Sequence, residues 1–323
     1  MKRIFLFISI ILIISGCNEQ SNSHDSKYTK RITSVKVFNS DDSQFAEVIF
    51  SYDNKNRLKT IDCHYSDDDS EVSYWVNTFS YSSSSIISDF NTSHSYTPYM
   101  QDTEITTTLN FRDTMILKDG LCIKENMMIT VSGKGVMDNP QLYHYPFHHY
   151  YYSFLKDPIT TIQENNGIKT ITISDNGNAE NLYSANRELI AKIGSHTGTD
   201  SFFWSNGKLV EIKGFGNDVI TLDYSPIINP FINTSLEIMF PLLILGTGYF
   251  PYVPATIALP KVFGLNPQQL LKSIEIDHHS YIDYYEFQYA YNSEDYISSI
   301  LVYYTGPYSS HSYLRSRYEI EYD

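Results

Sequence analysis

Apolar residues fall on every second position along Tyr285-Glu-Phe-Gln-Tyr-Ala-Tyr291, with Glu286, Gln288 and Ala290 between them. Strand side chains alternate faces, so this run predicts a strand with one aromatic and one mostly polar face. Asn292-Ser-Glu-Asp295 then supplies turn chemistry, and Tyr296 to Tyr304 resumes as a second β-rich run. The pair reads as a hairpin. The same phrase recurs at Phe50-Ser-Tyr52-Asp-Asn-Lys-Asn-Arg57-Leu58-Lys-Thr-Ile61, at Phe79-Ser-Tyr81-Ser-Ser-Ser-Ser-Ile86-Ile87 and at Phe203-Trp-Ser-Asn-Gly207-Lys208-Leu209. A degenerate copy, Leu109-Asn-Phe111-Arg-Asp-Thr-Met-Ile116-Leu117, predicts a further turn near Arg112 and Asp113. Asn206-Gly207 is the strongest short turn signal, because both residues tolerate positive φ. One hairpin cannot bury its aromatic face alone, so neighbours have to add side by side. Phe50, Tyr52, Phe287, Tyr289 and Tyr291 are therefore expected to share one core.

From Arg31 to Asp223 the pattern predicts strand after strand, including 32–38, 44–52, 58–65, 73–81, 104–111, 114–124, 127–132 and 168–174. No long amphipathic helix interrupts the series. Many short strands between tight turns give an all-β fold, a curled antiparallel meander forming a superroll or barrel-like sheet. One region breaks the rhythm. Ser225 to Pro267 carries several prolines and an apolar segment, Leu236 to Leu245, with Pro241 inside it. Proline there excludes a long helix and a central strand alike. This Pro-rich apolar connection is expected to cap the concave aromatic face as a hydrophobic plug, with a ligand lid as the other use of so long a loop.

The first residues change the picture. Met1-Lys-Arg followed by a short apolar run to Ile14 has the architecture of a secretory signal. It ends in Ile14-Ser15-Gly16-Cys17, which resembles a bacterial lipobox, implying a leader at 1–16 and lipidation at Cys17. Residues 17–30 then read as a lipidated flexible tether and 31–323 as a single β-sheet domain. Several acyl chains would hold the chain on a membrane durably. Formal charge is −14 for the whole sequence. Such a surface repels phosphate backbones, so no nucleic-acid partner is expected.

Candidate chemistry adds little. The chain has no nucleophile elbow, zinc-protease helix, phosphate loop or dinucleotide fingerprint. No catalytic residue, metal or cofactor is expected. His144, His148 and His149 and the pair His278-His279 are the metal-like clusters, read as solvated or stacked histidines because adjacent strand positions face opposite ways. Asp67-Asp-Asp69 reads as a solvated hairpin tip. Cys63 and Cys122 sit in β-like runs and read as two buried thiols, with a disulfide open as the alternative. His64 points away from Cys63, so that pair is no catalytic dyad. Exposed aromatics offer a binding surface: Tyr143, Tyr145, Tyr150, Tyr151, Tyr152 and Trp204, with Trp75 beside them. The ligand site is expected where Gln141–Phe154 meets the Pro-rich connection, since binding residues gather on irregular segments. These features give an envelope protein binding glycan or peptide, or else a structural lipoprotein docking on an outer-membrane partner. A hydrolase using Asp277 or Asp283 is the third reading.

The lipobox, the Phe-x-Tyr-Asp…Arg-Leu-x-x-Ile hairpins, the Asn-Pro…Phe-Pro-Leu…Leu-Gly connection and the closing Tyr-x-x-Glu-Tyr-Asp323 together resemble a Bacteroidetes lipoprotein family of unknown function. That family has a porin-like β fold, and its hairpins are similar to the tyrosine-aspartate repeats of RHS proteins. The resemblance implies a curled antiparallel sheet and an outer-membrane, lipid-anchored location. It implies no catalytic residue. Residues 133–200 depart from it. Lys, Glu, Asp and Ser fill the polar faces, as in Arg317-x-Glu319-x-Glu321, so the expected roll has a filled interior instead of a membrane channel.

Overall fold

A computed structural model describes residues 30–65, 74–96, 105–133, 159–174, 179–195, 198–215, 218–229, 260–264, 269–307, 309 and 311–323. The strands are β1 (Ile32–Asn39), β2 (Gln44–Tyr52), β3 (Leu58–Tyr65), β4 (Tyr74–Tyr81), β5 (Ser85–Tyr96), β6 (Ile105–Lys118), β7 (Leu121–Gly133), β8 (Ile159–Asn165) and β9 (Ile168–Ser174). They continue as β10 (Ala179–Tyr183), β11 (Leu189–Ser195), β12 (Gly198–Ser205), β13 (Lys208–Phe215), β14 (Asp218–Ile228), β15 (Gln269–Asp277), β16 (Ile282–Tyr291), β17 (Ile297–Thr305) and β18 (Tyr313–Tyr322). A single 3-10 turn, Pro260–Phe263, precedes β15.

Apart from β7 to β10, each strand pairs antiparallel with the next, and β1 pairs with β18. The result is a closed barrel of 16 strands. β7 forks. Its first half, at Lys124 and Glu125, pairs with β10, and its second half, Met128–Gly133, pairs with β9. The β8–β9 hairpin therefore stands beside the ring, and every residue of β8 is exposed. Closure removes the free edges that an open meander would carry.

One face of the ring is apolar and buried: Val35, Val48, Phe50, Ile61, Trp75, Phe90, Phe111, Phe287 and Tyr318 lie on it. Lys36, Glu47, Glu319 and Glu321 alternate onto the other. In a closed sheet a continuous buried face looks inward, so these side chains lie on the inner side of the ring, shielded from water. Phe263 of the 3-10 turn is fully buried and packs towards this interior beside Lys192. That places part of the Pro-rich connection against the core; Leu236–Leu245 lies outside the described residues.

The repeat phrase has a specific structural job. At the rim where Lys30 and Asp323 lie, the terminal rim, an aromatic near the end of one strand donates a hydrogen bond to a carbonyl near the start of its neighbour. Tyr52 Oη reaches Ile32 O at 2.9 Å, Tyr81 reaches Leu58 at 2.6 Å, Tyr183 reaches Cys122 at 2.6 Å and Tyr224 reaches Leu209 at 2.8 Å. Tyr289 to Leu271 and Tyr322 to Ile297 follow at 2.7 and 2.8 Å, and the Trp204 indole serves Leu189 at 2.7 Å. The basic residue before the carbonyl stacks on the same ring: Arg31 on Tyr52, Arg57 on Tyr81 and Lys208 on Tyr224. Hence the Arg-Leu of the phrase: the Leu side chain enters the core, its carbonyl takes the phenol, and the Arg covers the ring.

The turns at this rim are equally specified. Asp53 Oδ1 accepts from the backbone N–H of Lys55 and Arg57 at 2.8 and 2.9 Å, and Asn292 and Ser184 do the same for their own loops. These hydrogen bonds hold the Asp53 carboxyl near 2, chiefly through the Arg57 backbone. Asn56, Asp295 and Arg187 close these loops with φ of 59°, 63° and 66°, the three-residue hairpin with a bulge. Asn206-Gly207, Asp119-Gly120 and Asn166-Gly167 form two-residue turns with both φ positive.

Two expectations are corrected here. β6 runs unbroken through Arg112 and Asp113, because Asp113 faces the lumen and the turn is made by Asp119-Gly120. The copy at Leu109–Leu117 is thus one strand. Tyr291 is 39% exposed; it is the last residue of β16, with Tyr289 already closing the core. Phe50 and Phe287 are buried, and Tyr52 and Tyr289 pack against the same cluster. Cys63 and Cys122 are free buried thiols, and burial pushes the Cys122 thiol well above its usual range.

Candidate functional site

The opposite, far rim carries the turns 39–43, 278–281 and 306–312. Across β16, β17 and β18, Tyr285 pairs with Tyr304 and Tyr304 with Tyr313, a row of three rings at the mouth of the barrel. Tyr285 and Tyr304 lie 5.0 Å apart between centroids, and Tyr313 meets Tyr304 edge-on at 5.6 Å. Tyr285 is buried at the inner end of the row, and Tyr313 is 52% exposed at the outer end. The sheet grades from core to solvent along this row.

A bulge supplies the cation. Val302 pairs with Ser316 and Tyr303 with Leu314, leaving Arg315 as the extra residue of β18. Bulges re-aim side chains. Here the Arg315 guanidinium lies 5.5 Å from the Tyr285 ring and 5.3 Å from Tyr304, and Nη1 donates to Tyr285 Oη at 2.9 Å. On the other side, Tyr304 Oη donates to Asp283 Oδ1 at 2.7 Å, and His278 Nε2 lies 3.3 Å from Asp283 Oδ2. His278 stacks on Tyr281 at 4.5 Å, and Tyr281 is 42% exposed. Burial, reinforced by the Asp283 carboxylate, pushes the Tyr304 phenol well above its ordinary range. Gly306 sits so close that a Cβ there would lie 2.6 Å from Tyr304 Oη. The assembly offers stacking faces, an acceptor at Asp283 and donors at Arg315.

A second polar group lies within the wall, stepping across β6, β7, β10 and β11. Glu125 and Lys192 form a buried ion pair, and Asn181 Nδ2 donates to Cys122 O at 3.0 Å and lies 3.5 Å from Glu125 Oε1. Burial raises the Asp113 carboxyl well above the usual range, and the Glu125 charge adds to it. For Lys192, burial alone would lower the ammonium; the Glu125 charge and hydrogen bond outweigh this and leave it raised. Burial thus favours the uncharged form of Asp113 beside the ion pair. The cluster closes the wall where β7 changes partner.

Of the expected site residues, Tyr143, Tyr145, Tyr150, Tyr151, Tyr152 and Cys17 lie outside the described residues. Trp204 is half-buried, with its indole N–H committed to Leu189 O. Trp75 is in the core against Phe90 at 5.5 Å. Gln141–Phe154 and most of the Pro-rich connection lie outside the described residues, and so does their expected meeting. Asp283 was visible in the sequence only as a lone acid; Asp277 caps the turn, accepting from His279 N at 2.7 Å. Arg315, Tyr304 and Tyr313 went unrecognised, although Tyr at corresponding ends of facing strands is a usable signal. Among the described residues no three His, Cys, Asp or Glu side chains gather as a metal site.

Residues 1–18 match the family model for a prokaryotic membrane lipoprotein lipid attachment site. This supports a lipid-anchored protein of the cell envelope. None of the curated proteins compared with the chain matches it. Among solved structures, the chain is similar to a porin-like protein from Bacteroides uniformis ATCC 8492, with a TM-score of 0.50 and 11% identity over 90% of this chain and 98% of that one. At that identity the likeness concerns the fold alone.

Proposed function

We propose that this chain is a non-catalytic envelope lipoprotein that binds glycan or peptide at the far mouth of its barrel. The observation that supports this is the graded row Tyr285, Tyr304 and Tyr313, flanked by Arg315 and Asp283, on the rim opposite the chain terminus that leads to the anchor. Rings of this kind stack on sugar faces or apolar side chains at small entropic cost, and the polar pair fixes orientation. In this reading residues 1–16 are a leader, Cys17 carries lipid, 17–30 form the tether and the outer membrane is the anchoring surface. Tyr143, Tyr145 and Tyr150–Tyr152, outside the described residues, stay ligand-binding candidates on the sequence alone. The chain then belongs with lipoproteins of porin-like fold that have no established activity.

The test is binding of the mature chain to an immobilised panel of neutral and acidic oligosaccharides and short peptides, compared with Tyr313→Ala and Arg315→Ala. A loss of about tenfold for each, about 1.4 kcal/mol, is expected. Variants binding as the parent does would refute the site. Docking on an envelope protein is the second reading, favoured by the β8–β9 hairpin with Ile159, Ile162 and Ile168 about half exposed. It predicts no panel binding, and loss of a co-purifying membrane protein in Ile162→Glu.

A further inference from the structure

At the far rim the exposed apolar side chains include Tyr74, Ile193, Tyr281, Ile282 and Tyr313, spread around the ring. Near the terminal rim most of them lie in one sector. Leu182, Ile190 and Phe203 flank the rim hydrogen bonds of Tyr183, Leu189 and Trp204 on three consecutive strands, and Ile227 and Ile228 end β14 at the same level. Ile228 is 65% exposed, the largest value among them. Lys213 lies over the outer face of Phe203 at 5.0 Å, and Lys208 and Arg187 stand at the rim turns of the same sector. Glu211 stands opposite Phe203 and pairs with Lys213 at 2.9 Å, so the basic cover is partly neutralised there. Apolar side chains beside long basic ones suit the level of lipid headgroups, where the ammonium or guanidinium can stay in water.

We propose that this sector, Leu182, Ile190, Phe203, Ile227 and Ile228, rests on the lipid bilayer, so that the far mouth is held outward from the membrane. The chain leading to the anchor decides the occupant. It enters the barrel at Arg31, whose guanidinium pairs with Asp323 on the terminal rim. Residues 18–30 reach at most about 45 Å when extended. A 16-strand ring is about 30 Å across. The tether therefore keeps the terminal rim within about 45 Å of the bilayer, a span longer than the ring is wide, so the apolar sector, eight strands around from β1, reaches the bilayer when the barrel leans. The orientation rests on an anchor at Cys17, so the experiment supplies its own.

Nitroxide labels are placed by Phe203→Cys, Ile228→Cys and, as far-rim control, Tyr313→Cys; Cys63 and Cys122 are buried and stay unlabelled in the folded chain. The mature chain, with Cys17→Ser and an N-terminal hexahistidine, is held on phosphatidylethanolamine vesicles containing nickel-chelating lipid. Accessibility to oxygen and to a water-soluble chromium complex is read by power-saturation electron paramagnetic resonance. On capture, the oxygen-to-chromium ratio is expected to rise severalfold at positions 203 and 228 and to stay constant at 313. No change at 203 and 228 would overturn the proposal, as would loss of access to both reagents without vesicles, which would mark a second copy as the occupant. Cys17 lipidation is read separately, by membrane fractionation of Cys17→Ser in cells.

Discussion

Replacing Lys192 by Met removes the cation from a carboxylate that has nowhere else to turn. The Glu125 side chain has no exposed surface, and that of Lys192 is 15% exposed. Breaking a buried pair by deleting one partner costs about 3–5 kcal/mol, because the remaining charge is left in a medium of low dielectric. Domains of this kind have a total stability of about 5–15 kcal/mol, so the loss is large. Urea denaturation of the mature chain at pH 7.5 measures the loss. The double variant Glu125→Leu/Lys192→Met should recover most of it. A loss under about 1 kcal/mol in Lys192→Met would refute the buried pair.

Phe287→Ala should cost about 3–5 kcal/mol by the same assay, since the ring is buried in the lumen; a change below about 0.5 kcal/mol would put that face in solvent. Tyr81→Phe deletes the hydrogen bond to Leu58 O and should cost about 1 kcal/mol, and an unchanged midpoint would make the rim bonds incidental. Asp113 is raised above its unfolded value, so its contribution is present below about pH 4 and is lost as pH rises. Asp113→Asn should therefore gain stability over the parent progressively above pH 4; a pH-independent difference would show that Asp113 is ionised in the fold.

The class of the fold was legible because its signal is local. Period-two aromatics and turn residues at Asp53, Asn206 and Asn292 carry strand, turn and facing together. The barrel's closure was not, since it depends on β1 meeting β18 across the whole chain, and no local pattern encodes that register. Leu109–Leu117 misled because a polar residue in a strand can mark a turn or a buried charge, and Asp113 is the latter. Tyr291 keeps the parity of Tyr289 but ends β16 at the rim, beyond the core, and alternation alone does not mark where the core stops. The far mouth stayed hidden because Arg315 enters it only where a bulge leaves it unopposed. Trp204 was legible as a special aromatic, and its partner, a backbone carbonyl on β11, was not.

The central claim is that ligand engages the far mouth of the barrel. Hydrogen exchange of the mature chain, with and without the tightest-binding member of the oligosaccharide and peptide panel, tests it most directly. The account predicts added protection within 278–285 and 304–315, absent in Arg315→Ala, with the terminal-rim turns at 53–57 and 292–296 unchanged. Protection centred on the terminal rim, or on β8 and β9, would contradict it.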